Sequence, residues 1–349
     1  MAPNTNQFRE RLIVNDDDEQ DGVYHVHDLE ERQLEFKPKE IFQSLKELDW
    51  SKVVWRNVIL FVLLHSYTLY GLYLCFSGNT MLLTMAFSVF LYWCGGLGIT
   101  MGAHRLWAHK SYKATSPIRF LLMLCQTLSF QNSIFEWCRD HRVHHKFTET
   151  DGDPHNARRG FFFAHMGWLM YKKHPEVIKG GKTLNYNDLM EDPIVAWQHK
   201  NYLWMVVLVC FVVPTVVPVY FWGENWITAL MVAGFMRYTL VLHFTWTVNS
   251  LAHYVGARPY DKSMYAAENI VVAYLAMGEG WHNFHHVFPY DYRAAEFGGI
   301  TTLNITTMVI DFCSQFKWCY DKKTASDELI KKRILRTGDP KMERTIHKL

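Results

Sequence analysis

Of the 18 histidines in this 349-residue chain, eight fall into three tight clusters. HRLWAH carries His104 and His109, HRVHH carries His141, His144 and His145, and HNFHH carries His282, His285 and His286. Imidazole suits iron, zinc, copper and nickel, so such clusters point to metal. On a helix, positions i, i+3 and i+4 share one face, and each HxxHH cluster aims its three rings at one region. His104 and His109 are spaced differently: at 3.6 residues per turn, i and i+5 stand about 140° apart. They converge only if the helix ends or distorts between them. A fourth element, NSLAH, sets Asn249 and His253 one turn apart, adding a ninth imidazole and a polar group able to hold a bound water. Nine nitrogens are too many for one ion, whereas two metals with four or five ligands each fit the count.

The elements that must position these rings are apolar. Residues 57–104 contain no Asp, Glu, Lys or Arg, and as one helix this run would be ~70 Å long at 1.5 Å per residue. The turn formers SGNT at residues 77–80 divide it into two pieces of about 20 residues, the length a bilayer core requires. A second pair follows at residues 201–223, uncharged, and 226–248, interrupted only by Arg237. This blockwise distribution favours a membrane protein over a soluble two-domain chain; long polar segments bring the mean hydropathy to −0.10. The expected fold is an all-α integral membrane protein. Four transmembrane helices, at about 57–76, 81–103, 201–222 and 226–248, form two hairpins capped by a cytosolic helical domain that holds the histidine-rich dimetal site. A charge inside a span is costly and normally faces the bundle interior, but the sequence names no partner for Arg237. Residues 120–135 and 269–278 are apolar but too short to span, and read as helices on the membrane surface or against the cytosolic domain.

Lys52, Arg56, Arg105, Lys110, Lys113, Lys172, Lys173, Lys200, Arg258 and Lys262 flank the spans, while the two tight turns carry no Lys or Arg. The positive-inside rule then puts both termini and the central segment on the cytosolic side, with all the histidine clusters. Residues 1–50 are acidic and polar, without a signal-peptide pattern, and read as a largely disordered cytosolic segment. Residues 51–320 form the main domain, and residues 321–349 a basic cytosolic tail whose KKRILRTGD stretch reads as a solvated helix. Seven cysteines without CxxC spacing fit free thiols facing a reducing compartment.

The stretches GITMGAHRLWAHKSYKA, FQNSIFEWCRDHRVHHKF, DPHNARRGFFFAHMGW, TWTVNSLAH and NIVVAYLAMGEGWHNFHHVFPYDYRAAE resemble the membrane fatty acyl-CoA desaturases of the stearoyl-CoA 9-desaturase type. The resemblance runs from about residue 54 to 339. It implies two irons held by the eight cluster histidines and His253, with a water on Asn249, and a reaction that removes two hydrogens from a saturated acyl-CoA. The oxidant would be O2, with two electrons from a separate cytochrome b5 and its reductase, since no HPGG signature occurs in the chain. Breaking an unactivated C–H bond requires a redox-active metal, which favours iron over zinc. The resemblance also implies an acyl tunnel with Gln131, Trp137, Thr245 and Trp246 at its bend and Tyr92 and Gly96 at its far end. Glycine at that end leads to the expectation of a somewhat deeper tunnel. Asn57, Asn132, Arg139, Asp140, Lys172 and Lys173 would meet the CoA group. Endoplasmic reticulum membrane, contact with membrane lipid and no nucleic-acid partner follow from the same resemblance. A hydroxylase on this scaffold is the nearest rival, distinguished by an alcohol product; a metal transporter would instead carry its ligands inside the spans.

Overall fold

The computed structural model describes residues 49–299 and 302–339. Expectations for residues 1–48 and for the end of the tail, 340–349, lie outside the described residues. Helix α1 (Trp55–Phe76) has no charged side chain beyond Arg56, and it ends where Gly78 takes φ +75°, a left-handed value that glycine adopts without strain. The chain returns along α2 (Leu82–Ala108). Two helices follow, α3 (Ser116–Leu128), with Pro117 in its first turn, and α4 (Ile134–Phe147). Ser133 and Glu136 close a capping box at the start of α4. The second hairpin is α5 (Pro193–Trp222) and α6 (Trp226–Tyr254), joined through Gly223 at φ +73°. Glu224 in that turn accepts from the Met81 backbone N–H at 2.9 Å and the Thr84 hydroxyl at 2.6 Å, tying the two hairpins together at their tight ends.

Four long apolar helices are therefore present, as expected, and three of them run past the expected ends. Basic residues such as Arg105 and Lys200 stop the apolar run in the sequence without stopping the helix. The extra turns of α2 and α6 carry His104 and His253. Side chains of α1 such as Leu60, Val62, Leu69 and Phe76 are exposed, the pattern of a helix whose outer face meets lipid. The stretch at residues 120–135 is not one helix: α3 ends at Leu128, and the break before α4 includes Phe130 and Asn132 at positive φ. α3 packs tightly on α2, where a Cβ at Gly98 would lie 2.2 Å from the Cys125 carbonyl carbon.

Among the remaining described elements, all short, are α7 (Ile270–Leu275), α8 (His282–Val287), α9 (Ile305–Gln315) and α10 (Asp327–Thr337), with a two-residue ladder pairing β1 (Lys113–Ala114) with β2 (Cys319–Tyr320). α10 differs from the solvated helix expected there. Ile330 is buried in a cluster with Tyr260, Phe284 and Phe288, and Arg333 pairs with buried Asp261 at 2.7 Å. The basic stretch is amphipathic: Leu329, Ile330 and Ile334 pack on the docked face, while Leu335 stays exposed.

Arg237 is buried in α6 and donates to the backbone carbonyls of Ala233 at 3.1 Å, Leu128 at 2.8 Å and Cys210 at 2.9 Å, and to Sγ of Cys210 at 3.5 Å. One guanidinium thus joins α3, α5 and α6. Arg237→Ala leaves those acceptors unpaired beside a cavity and is expected to cost about 3 kcal/mol or more. Thermal unfolding in detergent micelles should show a clearly lower midpoint, and an unchanged midpoint would remove the guanidinium from the list of structural anchors.

Candidate dimetal centre and its cavity

Metal affinity begins with which nitrogens converge. His104, His109, His141, His145 and His285 form one group and His144, His253, His282 and His286 another, with the ligand atoms of each group within 4.8 Å of one another. The nine imidazoles picked out by spacing are the nine that meet. The two HxxHH clusters do not each serve one region, however. α4 gives His141 and His145 to the first group and His144 to the second, whereas α8 gives His285 to the first and His282 and His286 to the second. The rings are divided reciprocally because the two helices face each other across both groups.

The spacing of His104 and His109 is resolved by the backbone. Residues Gly98–Ala108 of α2 adopt wide π-type turns, and the His109 N–H donates to the His104 carbonyl at 3.1 Å, an i→i+5 bond. Positions five apart then lie close to one full turn from each other, and the two ring centroids stand 4.9 Å apart.

Carboxylates fix the tautomers. Glu279 lies 3.0 Å from Nδ1 of His104, Asp153 2.9 Å from Nδ1 of His144 and Glu149 3.1 Å from Nδ1 of His253. A proton on each Nδ1 leaves Nε2 as a lone pair pointing into the site. Burial, reinforced by neighbouring rings, holds His109, His141, His145, His282, His285 and His286 well below the ordinary imidazole range, so these six are neutral at physiological pH. Burial would raise the Glu279 carboxyl, but Arg105 and His104 more than offset it and hold it low; Arg105 grips it at 2.8 Å. Burial likewise opposes ionisation of Asp153, and His144 and His155 together hold it well below its usual value. Burial and the His144 ring push His155 down to about 3.

Proton counting tests whether these groups fit a metal. Nε2 of His282 lies 3.0 Å from Nε2 of both His253 and His286, and Nε2 of His286 lies 3.3 Å from that of His144. With His253 and His144 presenting lone pairs, no assignment of protons to His282 and His286 turns all three contacts into hydrogen bonds. A cation satisfies them together. Nitrogens each about 2.0–2.1 Å from one ion stand roughly 3 Å apart. In the other group the Nε2 atoms of His104 and His285 are 2.9 Å apart, those of His285 and His145 3.0 Å, and those of His109 and His141 2.7 Å. The residues present fit two metal ions.

Two cavities meet beside the histidines. The larger, about 540 Å³, is lined by Asn57, Gln131, Asn132, Trp137, Asp140, Thr245 and Trp246, among others. The smaller, about 60 Å³, is lined by Tyr92, Gly96, Val241, Phe244 and Met277. Trp137, His141, Thr245 and Asn249 border both, so the two cavities adjoin beside the histidine groups. Trp137 stacks on His141 with centroids 4.8 Å apart, and Gln131 donates to Thr245 at 2.9 Å. Asn249 lines both cavities where they adjoin. Arg139, Lys172 and Lys173 do not line either cavity: Arg139 and Lys173 both pair with Asp140, and Lys172 donates to the Ser51 carbonyl at 3.3 Å. Gly96 does not deepen the space, because the Met277 side chain fills the position beside it.

Sequence reasoning missed Glu149, Asp153 and Glu279. Their signal was available, since acidic residues stand within nine positions of each HxxHH cluster, Glu149 and Asp153 in TETDGD and Glu279 in GEGWHNFHH.

A helical protein with four helices long and apolar enough to span a membrane and two histidine groups able to hold metal has recognisable relatives. The fatty acid desaturase family model matches residues 79–295. An acyl-CoA Delta-9 desaturase of Acheta domesticus is 54% identical over 87% of this chain and 82% of its own length. An acyl-CoA Delta(11) desaturase of Trichoplusia ni is 50% identical over 82% of each chain, and a stearoyl-CoA desaturase of Homo sapiens 50% identical over 82% of this chain and 79% of its own. The chain belongs to the fatty acid desaturase family.

The carboxylate partners give a stoichiometric prediction. Asp153→Asn weakens the hold on His144 and is expected to lower metal affinity of the four-histidine group by roughly 10–100-fold, the usual effect of removing such a partner. Metal content of the purified protein should fall from about two equivalents toward one after mild chelation; retention of both would show that Asp153 does not tune the site.

Proposed function

We propose that this chain is an acyl-CoA desaturase that introduces a cis double bond, at the 9-position, into a saturated long-chain fatty acyl-CoA. Two irons would be held by His104, His109, His141, His145 and His285 and by His144, His253, His282 and His286, with Asn249 carrying a water at the second. The observation that carries the reading is the pair of adjoining, largely apolar cavities that reach both histidine groups. A saturated chain has no polar handle, so only the shape of its enclosure can select one methylene pair over its neighbours.

The irons, when bound, would supply the activation of O2, and with two electrons from cytochrome b5 and two protons from solvent the two hydrogens removed from the chain would leave with the oxygen as two waters. The protein's own groups hold the chain. Trp137, Trp246, Thr245 and Gln131 close the bend and keep the acyl chain folded there, the shape of a cis product. Apolar walls exclude water from the site. Asn57, Asn132 and Asp140 at the open end of the larger cavity would meet the CoA portion, with Arg139, Lys172 and Lys173 around them supplying positive charge for its phosphates.

The rest of the reading follows the same family. The boundaries proposed are a cytosolic segment at 1–50, a desaturase domain at 51–320 and a cytosolic tail at 321–349. The protein would reside in the endoplasmic reticulum membrane with both termini cytosolic. Its electron donor would dock through an acidic face on the basic cytosolic surface.

Microsomes containing the protein, supplied with stearoyl-CoA, NADH and the electron chain, should yield an alkene whose double-bond position is read by mass spectrometry. His144→Ala should abolish product, and either an alcohol product or full activity of that variant would overturn the reading. Turnover with soluble cytochrome b5 should fall as salt is raised, through screening of the docking charges; a salt-independent rate would rule out electrostatic docking.

A further inference from the structure

We propose that Met277, on the loop between α7 and α8, is the specificity-determining end stop of the acyl cavity, with Gly96 of α2 present to receive its side chain. The inference rests on the desaturase reading given above. A Cβ built on Gly96 would lie 2.2 Å from Cε and 2.6 Å from Sδ of Met277. The thioether therefore occupies the volume that any larger residue on α2 would claim. Met277 is 1% exposed and lines the small cavity with Tyr92, Gly96, Val241 and Phe244.

The base of this side chain is fixed while its tip is free to turn. Met277 takes φ +56° and is followed by Gly278 at φ +108°, where a Cβ would meet Oδ1 of Asn304 at 2.5 Å. The Met277 carbonyl accepts from the Thr306 N–H at 3.1 Å and the Thr306 hydroxyl at 2.9 Å, and the Thr100 hydroxyl in turn donates to that of Thr306 at 2.7 Å. Thr100 lies on the same helix as Gly96, so the backbone of Met277 is tied to the wall its side chain covers. Two residues earlier, the Leu275 carbonyl accepts from the Tyr92 hydroxyl, which pins the opposite side. With both walls held, the length of the cavity depends on the three torsions of an unbranched thioether, the most adaptable apolar side chain. Chain length would then be set from the α7–α8 loop, and α2 would only make room.

The test uses the full-length protein in microsomes with competing saturated acyl-CoAs of graded length, and purified protein for binding. Met277→Ala should raise the preferred length by at least two carbons, improving the longer-to-shorter product ratio roughly fourfold per methylene, from the transfer free energy of one buried CH2. Met277→Gly, which suits the left-handed backbone, should shift it the same way and serves if the alanine variant does not fold. Gly96→Ala should penalise the longest substrates by driving the thioether inward, and this penalty should vanish in the Met277→Ala background. Thermal stabilisation of the purified variants by the same acyl-CoAs should follow the same order without turnover. A wild-type length profile in an active Met277 variant, or an equal Gly96→Ala penalty in both backgrounds, overturns the end stop. Absence of alkene from the wild-type chain would instead overturn the desaturase reading, with acyl-CoA binding still reporting on Met277.

Discussion

Nine imidazoles with their lone pairs turned toward two small volumes repel one another and give up hydration that a solvated ring would keep. The chain must therefore force the arrangement from outside. It does so from the Nδ1 side of the rings, where Glu279, Asp153 and Glu149 each accept a proton that is then unavailable at Nε2. These carboxylates are themselves buried and would resist ionisation alone. Glu279 is kept anionic by Arg105, which also donates to the Tyr292 carbonyl at 3.0 Å and the Thr307 hydroxyl at 2.9 Å. The cost of converging the rings is thus distributed through a network reaching from α2 to α9, and the metal-binding geometry is as rigid as that network.

The wide turns of α2 serve the same end. An ordinary helix would leave His104 and His109 on different faces, and the departure from it falls where α2 is packed most closely against α3. Because α2 and α6 extend beyond their apolar stretches, His104 and His253 ride on rigid helices rather than on loops. The apolar cavity enters from the same bundle. Position along a featureless acyl chain and position of the oxidising centre are consequently referred to one frame, which is what selecting a single pair of methylenes demands.

Much of this was legible in the sequence. The four spans follow from charge-free stretches, and the histidines that converge were marked by spacing, because both are local signals: hydrophobic length in one case and helical periodicity in the other. The convergence of His104 with His109 was legible as a requirement for distortion, though the form of the distortion was not, since it depends on packing between α2 and α3. The division of each HxxHH cluster across two groups was hidden for a similar reason, as it arises from two helices 140 residues apart in the chain. Glu149, Asp153 and Glu279 look like ordinary surface acids until their burial is known. Gly96 reads as open space in one dimension, and only the third brings Met277 from 181 residues away to fill it.

Arg237 carries a consequence for the making of the protein. Its carbonyl partners belong to α3, to α5 and to α6 itself, all of which leave the ribosome before or with it. A lone α6 entering the bilayer would expose a guanidinium to hydrocarbon, at a penalty of about 2.5–3.5 kcal/mol on the insertion scale. The last span is therefore best admitted to the membrane after α5 and α3 have assembled beside it, so that insertion and tertiary folding become one event. The nascent chain would complete its topology only when its interior is already formed around that single charge.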